Sequence, residues 1–216
     1  MRIGVLSSSG GSVLAECLKA CQGRHHFILA TDRACGSETI AQAYNVPCKR
    51  LTGPTNAAFS DQARAWFTEQ GGVDFILLFY LRIATPAITA WVPTYNLHPS
   101  LLPAYSGFNA IDRALAGHSR VLGATLHLAT AAVDSGPIIA QASAPIAPGV
   151  SKATAAKISF LQKTYLAFVL IDVLERGGMS GAPAVNPALP PGPLRTHLEQ
   201  LFKTEGHAHL LAGAAP

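Results

Sequence analysis

The stretch RIGVLSSSGGSVLAECLKACQG, residues 2–23, changes its hydrophobic pattern in the middle. Its first part, RIGVLSS, is a short and mostly apolar run, which is typical of a buried β-strand. After the turn SSSGGS, apolar residues recur at helical spacing through SVLAECLKACQG, and a glycine ends the pattern. The stretch therefore predicts a strand, a tight turn and a helix, which is the repeating unit of a parallel α/β sheet.

The same alternation continues to about residue 90. HHFILATD, PCKRL and VDFILLF predict further strands. SETIAQAYN and SDQARAWFTEQGG predict helices, the first with Ser37 as its N-cap and the second beginning at Ser60. We therefore expect the α/β class, with a doubly wound, mostly parallel twisted sheet and helices on both faces.

The pattern changes in the second half of the chain. YNLH, GATLHLAT and PIIAQASAPI predict shorter strands, of which the last two are adjacent. NAIDRALAG predicts a helix, and residues 151–176 predict one long amphipathic helix. We expect a main domain over residues 1–178, followed by a Pro/Gly-rich C-terminal extension over residues 179–216 with a short helix.

The composition narrows the classes of partner. Hydrophobic residues make up 49% and charged residues 13% of the 216 residues, which is typical of a globular protein. The 16 basic and 12 acidic residues form no run of one charge, so we expect no nucleic-acid partner. No apolar run reaches the roughly 18 residues of a membrane helix, so we expect no membrane partner. The sequence indicates no particular oligomeric state.

The cysteines do not form a metal-binding pattern. Cys17 and Cys21 share a predicted helix face, but no second pair of ligands follows them, so we predict no metal site. The beginning MRIGVLSSSG is interpreted as a strand rather than a signal peptide. Together with the reduced thiols that we expect, this predicts a cytoplasmic protein.

The stretch YNLHPSLLPAYSG, residues 95–107, carries the first candidate catalytic pair, Asn96 and His98. Residues two apart on a strand point to the same face, and Pro99 restricts His98 to extended geometry. An amide and an imidazolium side by side can donate two hydrogen bonds to an oxygen that becomes negatively charged. Polar residues also cap strand ends without any catalytic role, so the pair alone leaves both interpretations open.

Asp134 and the first turn are weaker candidates when each is taken alone. Asp134 stands in VDSGPII, where its carboxylate could keep a nearby His98 protonated and relay protons through water, or could simply form a turn. The turn SSSGGS precedes a helix, and its backbone amides could hold an anion. It lacks the G-x-G-x-x-G pattern, which disfavours a dinucleotide.

Taken together, these motifs resemble one family. NLHPSLLPAYSG, GATLHLATAAVDSGPIIAQ and LRIATPAI look like the formyltransferases that use 10-formyltetrahydrofolate, over roughly residues 1–177. The members that act on glycinamide ribonucleotide in purine biosynthesis are the most similar in length and layout. The resemblance implies a Rossmann-like formyltransferase domain, formyl transfer to a primary amine, and catalysis by Asn96, His98 and Asp134.

The resemblance also implies binding residues for both substrates. The folate would contact the LRIA segment, above all the backbone of Arg82 and Ala84, and the loop that follows GATLHL; these positions are Leu81, Arg82, Ile83, Ala84, Ala129, Thr130, Val133 and Asp134. The acceptor would contact Gly10, Gly11, Ser12, Val13, Pro99 and Lys163. The family also tends to carry a cis peptide bond at the position of Leu102–Pro103.

The acceptor side departs from the family pattern. Val13 stands where an asparagine is expected, Lys163 where a glutamate is expected, and Asp61 where an arginine is expected. These changes suggest an acceptor related to glycinamide ribonucleotide that carries a carboxylate of its own. Two alternatives stay open: a 10-formyltetrahydrofolate deformylase, which transfers the formyl group to water, and a non-catalytic folate-binding scaffold.

Overall fold

The computed structural model describes residues 1–178 and 183–211, which divide into two compact units. The first unit comprises Met1–Asn96 and Leu128–Pro137. The second comprises Leu97–His127 and the residues from Ile138 onward. Both units are therefore discontinuous in sequence, because the segment that follows residue 127 returns to the first unit.

The first unit is a parallel α/β structure. Its elements are β1 (Arg2–Ser7), α1 (Ser12–Ala20), β2 (His26–Thr31), α2 (Gly36–Ala43), β3 (Cys48–Arg50), α3 (Asn56–Glu69), β4 (Phe75–Phe79), α4 (Pro86–Thr89) and β5 (Thr94–His98), whose last two residues belong to the second unit. The strand order is β3-β2-β1-β4-β5, and all neighbouring strands are parallel. Five of the six residues of β1 are buried, as expected for a strand covered on both faces.

The second unit combines a smaller sheet with the longest helix. Its elements are α5 (Ala110–Ala116), β6 (Val121–Leu128, the last residue in the first unit), β7 (Ile138–Pro145), α6 (Lys152–Glu175), β8 (Ala184–Val185), α7 (Gly192–Thr204) and a 3-10 turn (Ala208–Leu211). β6 and β7 are antiparallel, and β7 and β8 are parallel. The predicted α/β class with a mostly parallel sheet is confirmed.

Three local predictions were wrong. α3 begins at Asn56, not at Ser60, because the Thr55 hydroxyl caps it by accepting from the Ala58 amide at 3.1 Å. Ser37 lies inside α2, whose N-cap is Cys35. Helix α6 is not amphipathic, since residues 164–171 are all buried. Helix α4 and strand β8 were not predicted.

The C-terminal extension contains the expected helix. Leu194, Leu198 and Phe202 on α7 are buried, and the His197 ring lies 5.6 Å from the Phe168 ring of α6. α7 therefore packs against the buried part of α6. Residues 179–182 and 212–216 of the extension lie outside the described residues, and the boundary after residue 178 stays a prediction. No helix in the described ranges is long and apolar enough to cross a membrane.

Candidate active site

The segment after β6 is fastened to β5 in the first unit. The Ala129 amide donates to the Thr94 carbonyl at 2.7 Å, and the Leu128 amide donates to the Pro137 carbonyl at 3.0 Å. The second bond closes the segment into a loop. Both ends of the loop therefore lie close to the hydrogen bond between Ala129 and Thr94, which fixes the position of the loop relative to β5.

This loop brings together two of the predicted catalytic residues. The Asn96 amide Nδ2 donates to Asp134 Oδ1 at 3.3 Å. Asp134 has a φ of 49°, in the left-handed region that aspartate tolerates better than most residues. A Cβ added to Gly136 would lie 1.8 Å from the Leu128 carbonyl oxygen, so only glycine allows the loop to close this tightly.

His98 follows Asn96 by two residues and is described with the second unit. Its side chain is buried, and Nε2 lies 3.0 Å from the Tyr105 carbonyl oxygen. Because a carbonyl oxygen only accepts, Nε2 carries the proton in this contact. The imidazole is therefore neutral when Nδ1 lacks a proton and positively charged when Nδ1 carries one.

The loop that follows His98 is held by polar side chains of β6 and β7. Thr125 Oγ1 donates to the Ser100 carbonyl at 2.7 Å and accepts from the Leu102 amide at 3.0 Å. Gln141 Nε2 donates to the Leu102 carbonyl at 3.0 Å. The Leu102–Pro103 bond is cis, as the family resemblance predicted.

The predicted folate residues all belong to the first unit. Leu81, Ile83 and Val133 are large apolar side chains with 53%, 41% and 52% exposure, whereas Ala84 is buried. In the described part of the chain, the backbone amides and carbonyls of residues 82–84 make no hydrogen bond. This segment therefore offers apolar surface together with unsatisfied backbone groups.

Hydrogen bonds between serines shape the first turn, and the sequence did not predict these bonds. Ser7 Oγ lies 2.7 Å from Ser37 Oγ, and the Ser37 hydroxyl donates to the Ser9 carbonyl at 3.0 Å. Gly11, with a φ of 81°, precedes Ser12, which begins α1. The signal in the sequence was the run of serines that begins at the last residue of β1.

The predicted acceptor residues are distributed over both units. Gly10 and Ser12 are exposed in the first unit, while the Val13 side chain is buried, so only its backbone faces the turn. Pro99 and Lys163 belong to the second unit, and Gln162 next to Lys163 donates to the Leu122 carbonyl at 3.0 Å. Burial lowers the pKa of the Lys163 ammonium below its ordinary value.

The described residues provide no site for a metal ion. No group of three or more His, Cys, Asp or Glu side chains among residues 1–178 and 183–211 could hold one. No disulfide joins Cys17, Cys21, Cys35 and Cys48, all of which the structure describes.

Residues 1–169 match the family model described as formyl transferase. A phosphoribosylglycinamide formyltransferase from Mycobacterium tuberculosis is 34% identical over 161 residues, which are 71% of this chain and 75% of the relative. The crystal structure of glycinamide ribonucleotide transformylase 1 from Symbiobacterium toebii has a TM-score of 0.77 at 30% identity and covers 85% of this chain and 92% of that chain. This similarity confirms the Rossmann-like formyltransferase fold.

A third relative is a hydrolase. A formyltetrahydrofolate deformylase from Synechocystis is 38% identical over 108 residues, which are 48% of this chain and 38% of the relative. Its similarity therefore covers a smaller part of both proteins than that of the transferases.

The close approach of Gly136 to the Leu128 carbonyl predicts an effect of substitution on stability. Gly136→Ala should lower the free energy of unfolding by about 1–3 kcal/mol, because the added methyl group forces the loop away from Leu128. Gly10→Ala is the matched control, since a Cβ at Gly10 has no heavy atom within 4 Å. Urea denaturation of both variants measures the effect, and equal stability of the two would contradict the tight closure.

The half-buried Lys163 predicts a pH dependence of stability. The unfolded chain keeps a lysine pKa of about 10.4, so between the lowered folded pKa and this value the unfolded state binds more protons and stability rises with pH. Lys163→Met should therefore stabilise the protein at pH 7, and the gain should shrink towards pH 10. Urea denaturation at both pH values, with the exposed Lys203→Met as control, checks this; a gain of equal size at both would contradict it.

Proposed function

Because the chain belongs to the formyl transferase family, we propose that it transfers the formyl group of 10-formyltetrahydrofolate to the primary amine of glycinamide ribonucleotide or of a closely related acceptor. The observation that carries the proposal is the 3.3 Å hydrogen bond between Asn96 and Asp134, with His98 two residues further along β5. The same three residues are the catalytic set that the family resemblance implies.

The proposed reaction is an acyl transfer. The amine nitrogen attacks the formyl carbon, and the carbonyl oxygen acquires the negative charge. The bond between this carbon and the folate nitrogen then breaks, while a proton moves from the attacking nitrogen to the departing one. No metal and no redox step is required for this balance of atoms and electrons.

The residues are assigned by the hydrogen bonds that they can make. The Asn96 amide has two N–H groups, so it can donate to Asp134 and also to the oxyanion. His98 donates through Nε2 to Tyr105, so we assign Nδ1–H of the imidazolium to the oxyanion. The Asp134 carboxylate accepts from Asn96 and is assigned the relay of the amine proton through water.

The folate is proposed to bind along residues 81–84 and the loop containing Ala129, Thr130, Val133 and Asp134. A pterin ring presents hydrogen-bonding edges and two flat faces. The unsatisfied backbone groups of residues 82–84 suit its edges, and exposed Leu81, Ile83 and Val133 suit its faces.

The acceptor is proposed to contact the residues that the family resemblance implies for it. The backbone of Gly10, Gly11, Ser12 and Val13 begins helix α1, where amide groups favour a phosphate. Pro99 and Lys163 are assigned to the part of the acceptor near the amine. Since Lys163 is a cation where the family has a glutamate, we propose that the acceptor pocket favours an additional negative charge.

The cytoplasm stays the predicted location of the protein.

Two alternatives predict different products. A deformylase would release formate without any amine, and its relative matches less of the chain than the transferases do. A non-catalytic scaffold would bind the folate without turnover. Neither alternative requires the acceptor turn after β1.

The test is the release of tetrahydrofolate with and without glycinamide ribonucleotide. We expect amine-dependent release together with a formylated product, and His98→Ala should lower kcat by about 10²–10³-fold because one oxyanion donor is lost. His26→Ala, at an exposed position on β2, is the matched control and should keep the activity. Amine-independent release of formate, or binding without release, would contradict the proposal.

A further inference from the structure

The segment of residues 81–85 has no regular secondary structure, yet both of its ends are fixed. The Leu81 amide donates to Ser8 Oγ at 3.2 Å, and the Thr85 amide donates to Ser60 Oγ at 3.2 Å. Both serines are buried. Two serine hydroxyls, one after β1 and one on α3, thus hold the segment as a clamp.

The middle of the segment is held by one side chain. Arg82 donates to the Gly53 carbonyl at 2.9 Å and to Asn56 Oδ1 at 3.1 Å, and its guanidinium lies 5.0 Å from the Phe59 ring centroid. These contacts use the side chain and leave the backbone of residues 82–84 to other partners. The clamp therefore fixes the segment without occupying the groups proposed to bind folate.

A buried carboxylate sets the direction of the Ser8 hydrogen bonds. The Ser8 hydroxyl donates to Asp32 Oδ1 at 2.7 Å. A hydroxyl has a single proton, so its oxygen lone pairs are left for the Leu81 amide. The Asp32 side chain is only 2% exposed and pairs with Arg33 at 2.7 Å. Burial raises the pKa of Asp32, but hydrogen bonds from Arg33 and Ser8 outweigh burial, and the net pKa lies below the ordinary value.

We infer that Ser8, Asp32 and Ser60 are positioning residues for the folate, which they affect through the backbone of residues 81–85. The inference rests on the proposed function, because it takes that segment as the folate site. Asp32 orients the Ser8 hydroxyl, and the two serines hold the ends of the segment, so its unsatisfied groups are preorganised before the ligand arrives. None of the three residues needs to touch the folate.

The variants Ser8→Ala and Ser60→Ala each remove one end of the clamp. Each should raise the KM for 10-formyltetrahydrofolate about 5- to 20-fold, as the loss of a positioning hydrogen bond implies, with kcat and the KM for the amine within about twofold. Asp32→Asn should act in the same direction as Ser8→Ala, because an amide can donate to the Ser8 oxygen and compete with Leu81. Ser9→Ala, whose hydroxyl contacts Ser7 but not the segment, is the matched control and should leave the folate KM unchanged.

Amide hydrogen exchange by NMR tests the clamp without any turnover. Ser8→Ala and Asp32→Asn should speed exchange at Leu81 but not at Thr85, and Ser60→Ala should do the reverse. If the wild-type protein transfers no formyl group, the proposed function fails while these exchange rates still test the clamp. If the wild type is active and Ser8→Ala changes neither the folate KM nor the Leu81 exchange, the inference is overturned.

Discussion

The hydrogen bond from the Ala129 amide to the Thr94 carbonyl is the contact on which the candidate active site depends. It fastens the loop of residues 128–137 to β5, although β6 itself is described with the second unit. Once the loop is fastened, Asp134 lies within hydrogen-bond distance of Asn96. Gly136 is the steric condition for this geometry, since any side chain would collide with the Leu128 carbonyl.

Polar residues follow the buried strands β1 and β2 of the first unit. β1 and β2 are mostly buried, and Ser8 and Asp32 directly follow their carboxyl ends, while Asn96 lies within β5, two residues before its end. In open parallel sheets, ligands bind outside these ends. Burial of the Asp32 carboxylate is costly, but the ion pair with Arg33 and the hydrogen bond from Ser8 offset this cost. The same carboxylate orients the Ser8 hydroxyl.

The sequence predicted the positions of the main strands well, for a physical reason. Short apolar runs bounded by turn residues are a strong local signal, and β1, β2 and β4 lie where those runs are. Asn96, His98 and Asp134 were recognised from their motif. Asn96 and Asp134 are 38 residues apart in the sequence, however, and a local sequence pattern cannot predict a contact over such a separation.

The predictions that were wrong show where tertiary contacts override local signals. Ser60 was predicted to begin α3, but Thr55 supplies that cap, and the Ser60 hydroxyl accepts from Thr85 instead. Ser37 likewise bonds to the turn after β1 rather than capping α2. Helix α6 lacks the expected polar face along residues 164–171, and α7, which contacts it at Phe168, follows a Pro/Gly-rich region with a weak sequence signal.

The most direct measurement of the central claim is a double-mutant cycle on kcat for tetrahydrofolate release, with Asn96→Ala, Asp134→Ala and both together. If the two side chains act as one hydrogen-bonded unit, the double variant should lose about as much activity as the more impaired single variant. Losses that multiply would show that the two residues act independently and would contradict the account.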